Sequence, residues 1–234
     1  MYKYVLFDID GTLVDFDNDM VIAFTNMLKK TCLDRHLTVD SDLIAKYNAC
    51  NESWWRRFER GECTKPELYR NRFIDFCREV GITEFDPDLM HEEYSKGLGE
   101  TGTLLPGAAE LLKKLSERFP IYLVTNGNAY VQERRIARSG LNDYAEAYYV
   151  SESVGTAKPD KRYFDYVLSH IPGAEPNNCI VIGDSLSSDI LGAYNSSIDS
   201  IWYNPKHVEN PKSIPFTYEV DNYEDLLSIL IPKN

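Results

Sequence analysis

Asp8-Ile9-Asp10-Gly11-Thr12-Leu13 follows directly on the apolar run Tyr4-Val5-Leu6-Phe7. Alternation along an extended chain puts Asp8 and Asp10 on one side, and Gly11 lets the backbone turn sharply behind them. Two carboxylates forced together call for a cation. The competing reading is a solvated acidic turn. Other segments carry compatible chemistry. Thr125-Asn126-Gly127-Asn128 offers a hydroxyl, an amide and a helix start, whose free N–H groups and dipole make a phosphate seat; otherwise it is a helix cap. Gly183-Asp184-Ser185, with Asp189 five residues beyond Asp184, adds two carboxylates that could equally be an N-cap and a solvated helix residue. Lys158-Pro159-Asp160 reads as a helix opening with Pro159 in the first turn. Lys158 is there a candidate anion ligand or a surface residue.

The elements that must position these groups are legible as alternating patterns. Residues 4–7, 121–124, 147–150 and 179–182 are short continuous apolar runs, and 198–203 is another, as expected of strands buried on both faces. Between them Leu111, Leu112 and Leu115, then Val131 and Ile136, then Phe164, Val167 and Leu168 fit apolar helix faces. The alternation predicts a Rossmann-like α/β core, a doubly wound parallel sheet with ligands beyond the strands' carboxyl ends. Residues 16–98 break the pattern with helical periodicity alone: Met20, Ala23, Phe24 and Met27, a segment through Trp54 and Phe58, a helix from Thr64 to Gly81 opened by a Thr64/Glu67 capping box, and another near Leu89–Tyr94. An all-helical domain over 16–98, inserted in a core of 1–15 and 99–234, is expected.

The 234 residues carry 25 basic and 37 acidic side chains, a formal charge of −12. Such a surface repels nucleic acid and anionic membranes. It also opposes a phosphorylated ligand, so a phosphate site must bring local positive charge, from a divalent metal and a placed lysine. No stretch approaches the roughly 20 apolar residues of a membrane span. With no signal-peptide layout at the N-terminus, a cytoplasmic location is expected. The five cysteines and four histidines (His36, His91, His170, His207) are scattered, without C-x-x-C pairs. They read as structural thiols and solvated imidazoles, not as a disulfide or zinc framework.

In combination, Asp8-x-Asp10-Gly11-Thr12, Thr125, Lys158, and Gly183-Asp184-Ser185 with Asp189 resemble the four motifs of the haloacid dehalogenase (HAD) superfamily. The insertion after the first motif resembles that superfamily's C1-type cap. The resemblance implies a phosphatase in which Asp8 is the nucleophile and Asp10 the general acid and then base. Mg2+ would be held by Asp8, Asp184 and Asp10, the last through its main-chain carbonyl. Asp189 would orient Lys158 or metal-bound water, while Thr125, Lys158 and the Asn126 region would bind phosphoryl oxygens. Asp10 favours phosphate esters over halides, because an alkoxide leaving group needs a proton. The segment Asn51–Glu62 is similar to that of HAD pyrimidine 5′-nucleotidases, which implies a nucleoside monophosphate substrate, with Trp54 either stacking on a base or packing the cap core. Arg56, Arg57 and Arg60 read as partners of Glu52, Glu59 and Glu62. A sugar-phosphate phosphatase, a phosphomutase and a non-catalytic receiver-like module are the alternatives.

Overall fold

The computed structural model describes residues 2–32 and 38–232; His36 lies outside them. Six parallel strands form one sheet in the order β3-β2-β1-β4-β5-β6: β1 Tyr4–Phe7, β2 Ile121–Thr125, β3 Ala145–Val150, β4 Cys179–Gly183, β5 Asp199–Tyr203 and β6 Tyr218–Val220. Ten α-helices are described. Four fall in the insertion: α1 Phe16–Thr31, α2 Ser41–Glu59, α3 Lys65–Val80 and α4 Pro87–Gly99. The rest are α5 Ala108–Ser116, α6 Ala129–Ser139, α7 Ser151–Val154, α8 Lys161–Ser169, α9 Leu191–Asn195 and α10 Tyr223–Leu230.

Alternation along β1 explains why its run is apolar throughout. Val5 and Phe7 face a core built with α5, Ile136 of α6, and Leu226 and Leu230 of α10. Leu6, between them, faces the other core, with Tyr163, Phe164 and Val167 of α8 and Ala193 of α9. Both faces are therefore covered, as a parallel sheet requires. β1 lies between β2 and β4, so Asp8, Thr125 and Asp184 leave three adjacent strands at the same edge. β6 has no signature in the sequence. It is three residues long, with only Val220 buried.

The chain divides into two compact units, Met1–Phe16 with Gly102–Asn234, and Asp17–Thr101. In the second, α3 has the expected capping box between Thr64 and Glu67 and ends on the left-handed Gly81. Its core is aromatic: Tyr47 stacks on Phe24 at 4.2 Å and on Phe73 at 5.7 Å. Trp54 is buried, donates its indole N–H to Asp75 at 2.8 Å and carries the Arg57 guanidinium 4.1 Å over its ring. Phe58 packs on Trp55 instead. Arg56 and Arg60 pair with Glu52 and Glu62 as expected, but Arg57 lies against Trp54, because a guanidinium beside an indole face keeps solvent and gains cation–π attraction. His91 is half-buried, stacked on Tyr69, and not solvated as expected. The five cysteines are free thiols. No described helix is long and apolar enough to cross a membrane.

Candidate active site

The turn after β1 is shaped by Gly11, whose φ is +79°. A Cβ there would lie 2.5 Å from Asp184 Oδ2, so only glycine allows the first and last acidic segments to approach this closely. Tyr223 of α10 donates to the Thr12 carbonyl at 2.7 Å, and Trp202 of β5 donates to the Asp184 carbonyl at 3.0 Å. Both carboxylate-bearing turns are thus fixed through their backbones.

Lys158 is 1% exposed and its ammonium is fully engaged. It donates to Asp8 Oδ1 at 2.7 Å, to Asp189 Oδ1 at 2.6 Å and to the Val124 carbonyl at 2.9 Å. Burial works against its charge, but Asp189 and Asp8 outweigh it and hold the pKa above the ordinary lysine value. The main chain carrying Lys158 is positioned by Asn126, whose side-chain amide donates to the Lys158 carbonyl at 2.7 Å and to Ser188 Oγ at 3.3 Å, and accepts from the Lys158 N–H at 2.9 Å. The Asn126 side chain is therefore committed to Lys158, and only its main chain is left for a phosphate. Lys158 precedes a cis peptide to Pro159, and α8 begins at Lys161 with Asp160 as N-cap. Pro159 thus stands outside the helix, not in its first turn.

Thr125, 2% exposed, accepts two hydrogen bonds at Oγ1, from the Gly127 N–H at 3.1 Å and from Gln132 Nε2 at 2.8 Å. With both lone pairs engaged, its hydroxyl proton can only be donated. That suits a phosphoryl oxygen. Its own N–H is held by the Tyr163 hydroxyl at 3.1 Å.

Carboxylate oxygens of Asp8, Asp184 and Asp189 lie within 4.8 Å of one another. Burial and the Asp189 charge hold the Asp8 pKa well above the ordinary carboxylate value despite Lys158. Asp184 is exposed at the surface of the cluster, yet the protein packed around its carboxyl and the same Asp189 charge push it up to about 7. A cluster this short of positive charge, made only of hard oxygen donors, fits Mg2+. Asp189 accepts at both oxygens, from Lys158 and, at 3.1 Å, from the Ser185 N–H. Its site is buried rather than solvated.

Asp10 is directed elsewhere. Gln132 Nε2 donates to its Oδ2 at 2.7 Å and Arg135 Nη1 donates to its Oδ1. The Asp10 carboxylate is not in the cluster of three. Gln132 and Arg135 escaped the sequence reading. A signal was present: they fall beside Val131 and Ile136 on one face of α6, and all four are buried.

A family model described as haloacid dehalogenase-like hydrolase matches residues 2–196. The chain is similar to the HAD-hydrolase YfnB of Bacillus subtilis, 35% identical over all of this chain and 97% of that protein. It is 37% identical to pyrimidine 5′-nucleotidase PynA of Streptococcus pneumoniae, over 98% of this chain and 95% of the relative. To pyrimidine 5′-nucleotidase YjjG of Escherichia coli it is 32% identical over 98% of each. The crystal structure of YfnB bound to magnesium superposes with a TM-score of 0.91, covering 98% of this chain and 99% of that one.

Proposed function

The chain belongs to the haloacid dehalogenase-like hydrolases, and on that premise we propose that it is a Mg2+-dependent phosphomonoesterase working through an aspartyl phosphate on Asp8, with pyrimidine nucleoside 5′-monophosphates as substrates. One observation carries the reading. Asp8, Asp184 and Asp189 converge at the mouth of β1 and β4 with the buried Lys158 ammonium on Asp8 and Asp189.

An Asp8 oxygen attacks phosphorus as the bond to the leaving oxygen breaks, and Asp10 gives that oxygen its proton. Asp10 then takes a proton from the water that attacks the acyl phosphate. Inorganic phosphate leaves and Asp8 is regenerated. The Thr125 hydroxyl donates to an equatorial oxygen, and Lys158, its three N–H groups held by Asp8, Asp189 and the Val124 carbonyl, contributes its positive charge beside the oxygens where charge gathers. Asp8, Asp184 and the Asp10 carbonyl would hold Mg2+, which would supply the positive charge that an anionic ester needs to approach these carboxylates. Asp189 holds Lys158 in place.

The substrate class is supported by PynA and YjjG, whose names state pyrimidine 5′-nucleotidase activity. A cytoplasmic setting, where thiols stay reduced, agrees with the free cysteines. The test is hydrolysis of uridine, thymidine and adenosine monophosphates, sugar phosphates and p-nitrophenyl phosphate, with Mg2+ and with chelator. Mg2+-dependent phosphate release with the highest kcat/KM on the pyrimidine nucleotides is expected. Preference for sugar phosphates would replace the substrate class, and a requirement for a bisphosphate activator would make the enzyme a mutase.

A further inference from the structure

Arg135 is the largest side chain among those described with under 2% exposure. It lies on α6, outside the motif residues, and Gln132 one turn earlier is equally buried. The helix has its own reasons to form: Asn128 caps it by accepting from the Val131 N–H at 3.1 Å, and left-handed Gly140 ends it. Neither reason calls for a guanidinium and an amide on the inward face. Burying both is costly unless the guanidinium and the amide find partners. Their shared partner is Asp10.

The contacts divide cleanly. Arg135 Nη1 donates to Asp10 Oδ1, and Gln132 Nε2 donates to Asp10 Oδ2 at 2.7 Å. The same Gln132 nitrogen donates to Thr125 Oγ1 at 2.8 Å. Arg135 also reaches Gln132 Oε1, at 3.4 Å, so the two donors brace each other. Backbone design agrees, since a Cβ on Gly127 would lie 2.6 Å from Gln132 Nε2. Any larger residue there would push the amide off both acceptors.

Resting on the phosphatase reading, we infer that Arg135 and Gln132 are positioning residues that clamp the Asp10 carboxylate for proton transfer to the leaving oxygen, and that Gln132 ties this clamp to the phosphate-binding hydroxyl of Thr125. Each Asp10 oxygen accepts one of these bonds and keeps a second lone pair for the transferred proton. The clamp holds the rotamer of a side chain that is 27% exposed. Proton transfer requires hydrogen-bond reach, and a misplacement of about 1 Å costs about 10²-fold.

The leaving group reads this directly. p-Nitrophenyl phosphate and phenyl phosphate have similar shapes, but p-nitrophenolate departs unaided while phenolate gains from protonation. Arg135→Met is expected to lower kcat/KM for phenyl phosphate by about 10²-fold and for p-nitrophenyl phosphate by less than about tenfold. Mg2+ affinity by calorimetry stays at the wild-type value, and Arg135→Lys recovers part of the phenyl phosphate loss. Gln132→Met, an independent arm, shows the same leaving-group dependence together with a common loss on both esters through Thr125. Wild-type enzyme is assayed first: no turnover of either ester would overturn the phosphatase reading and the clamp with it. In an active enzyme, equal losses on the two esters in both variants would overturn the clamp alone.

Discussion

Asp189→Asn removes one charge from a buried triad while keeping the side chain's size. Lys158 Nζ lies 2.6 Å from Asp189 Oδ1 and 2.7 Å from Asp8 Oδ1. At an effective dielectric near 20, two unit charges 2.6 Å apart attract by about 6 kcal/mol. Part of that is returned on substitution, because Asp189 also repels Asp8 and Asp184 and raises both. A second cost arises from geometry. Asp189 accepts from Lys158 at one oxygen and from the Ser185 N–H at the other. An amide has one acceptor, so one of those donors must face an NH2 group, at about 1–3 kcal/mol. Breaking a buried pair costs about 3–5 kcal/mol. Asp8 and the Val124 carbonyl remain to hold Lys158, which puts the net near the bottom of that range, about 3 kcal/mol. At about 2–4 °C per kcal/mol, the transition of the α/β unit should fall by about 6–12 °C in scanning calorimetry. Turnover of p-nitrophenyl phosphate should fall with it, as Lys158 loses its fixed position. A shift below about 2 °C with unchanged kcat would show that Asp8 and Val124 suffice, and would refute the reasoning.

Asp184, pushed to about 7, and Asp8, raised well above the ordinary carboxylate value, couple metal binding to pH. In the metal-free fold their contribution to stability is complete below the unfolded carboxylate range and is lost as pH rises through about 7. Mg2+ requires the ionised forms, so its apparent affinity should strengthen about tenfold per pH unit for each proton displaced as pH approaches that value from below; calorimetric titration showing constant affinity between about pH 5.5 and 7 would contradict this. Gly11→Ala should lower both stability and Mg2+ affinity, because the new Cβ would sit 2.5 Å from Asp184 Oδ2 and φ is +79°. Wild-type thermal stability and Mg2+ affinity in that variant would remove Gly11 from the account.

Residues at strand ends were legible because their neighbours announced them. Asp8, Thr125 and Asp184 each follow an apolar run long enough to mark a buried strand, and parallel strands deliver their ends to one edge. Gln132 and Arg135 were hidden for the opposite reason. A helix read by its apolar spacing assigns polar residues to water; their place beside Val131 and Ile136 marks the inward face, but nothing local names the carboxylate 122 and 125 residues away that they meet. Asn126 was read for its main-chain N–H, and what the sequence did not show is that its side-chain amide serves the Lys158 backbone across 32 residues. Pro159 misled in a similar way. The ring that suits a helix's first turn suits equally the residue before one, and Asp160 supplied the cap. β6 was missed because three residues with one buried side chain carry no periodicity.

The most direct test of the central claim is to stop turnover with acid and reduce the protein with borohydride, which converts an acyl phosphate to an alcohol. Peptide mass spectrometry should find homoserine in place of Asp8, in greater yield in Asp10→Asn turning over p-nitrophenyl phosphate, whose leaving group needs no proton while deprotonation of the attacking water is blocked. A phosphoryl group trapped on any other side chain, or an unmodified Asp8 throughout steady-state turnover, would contradict the account.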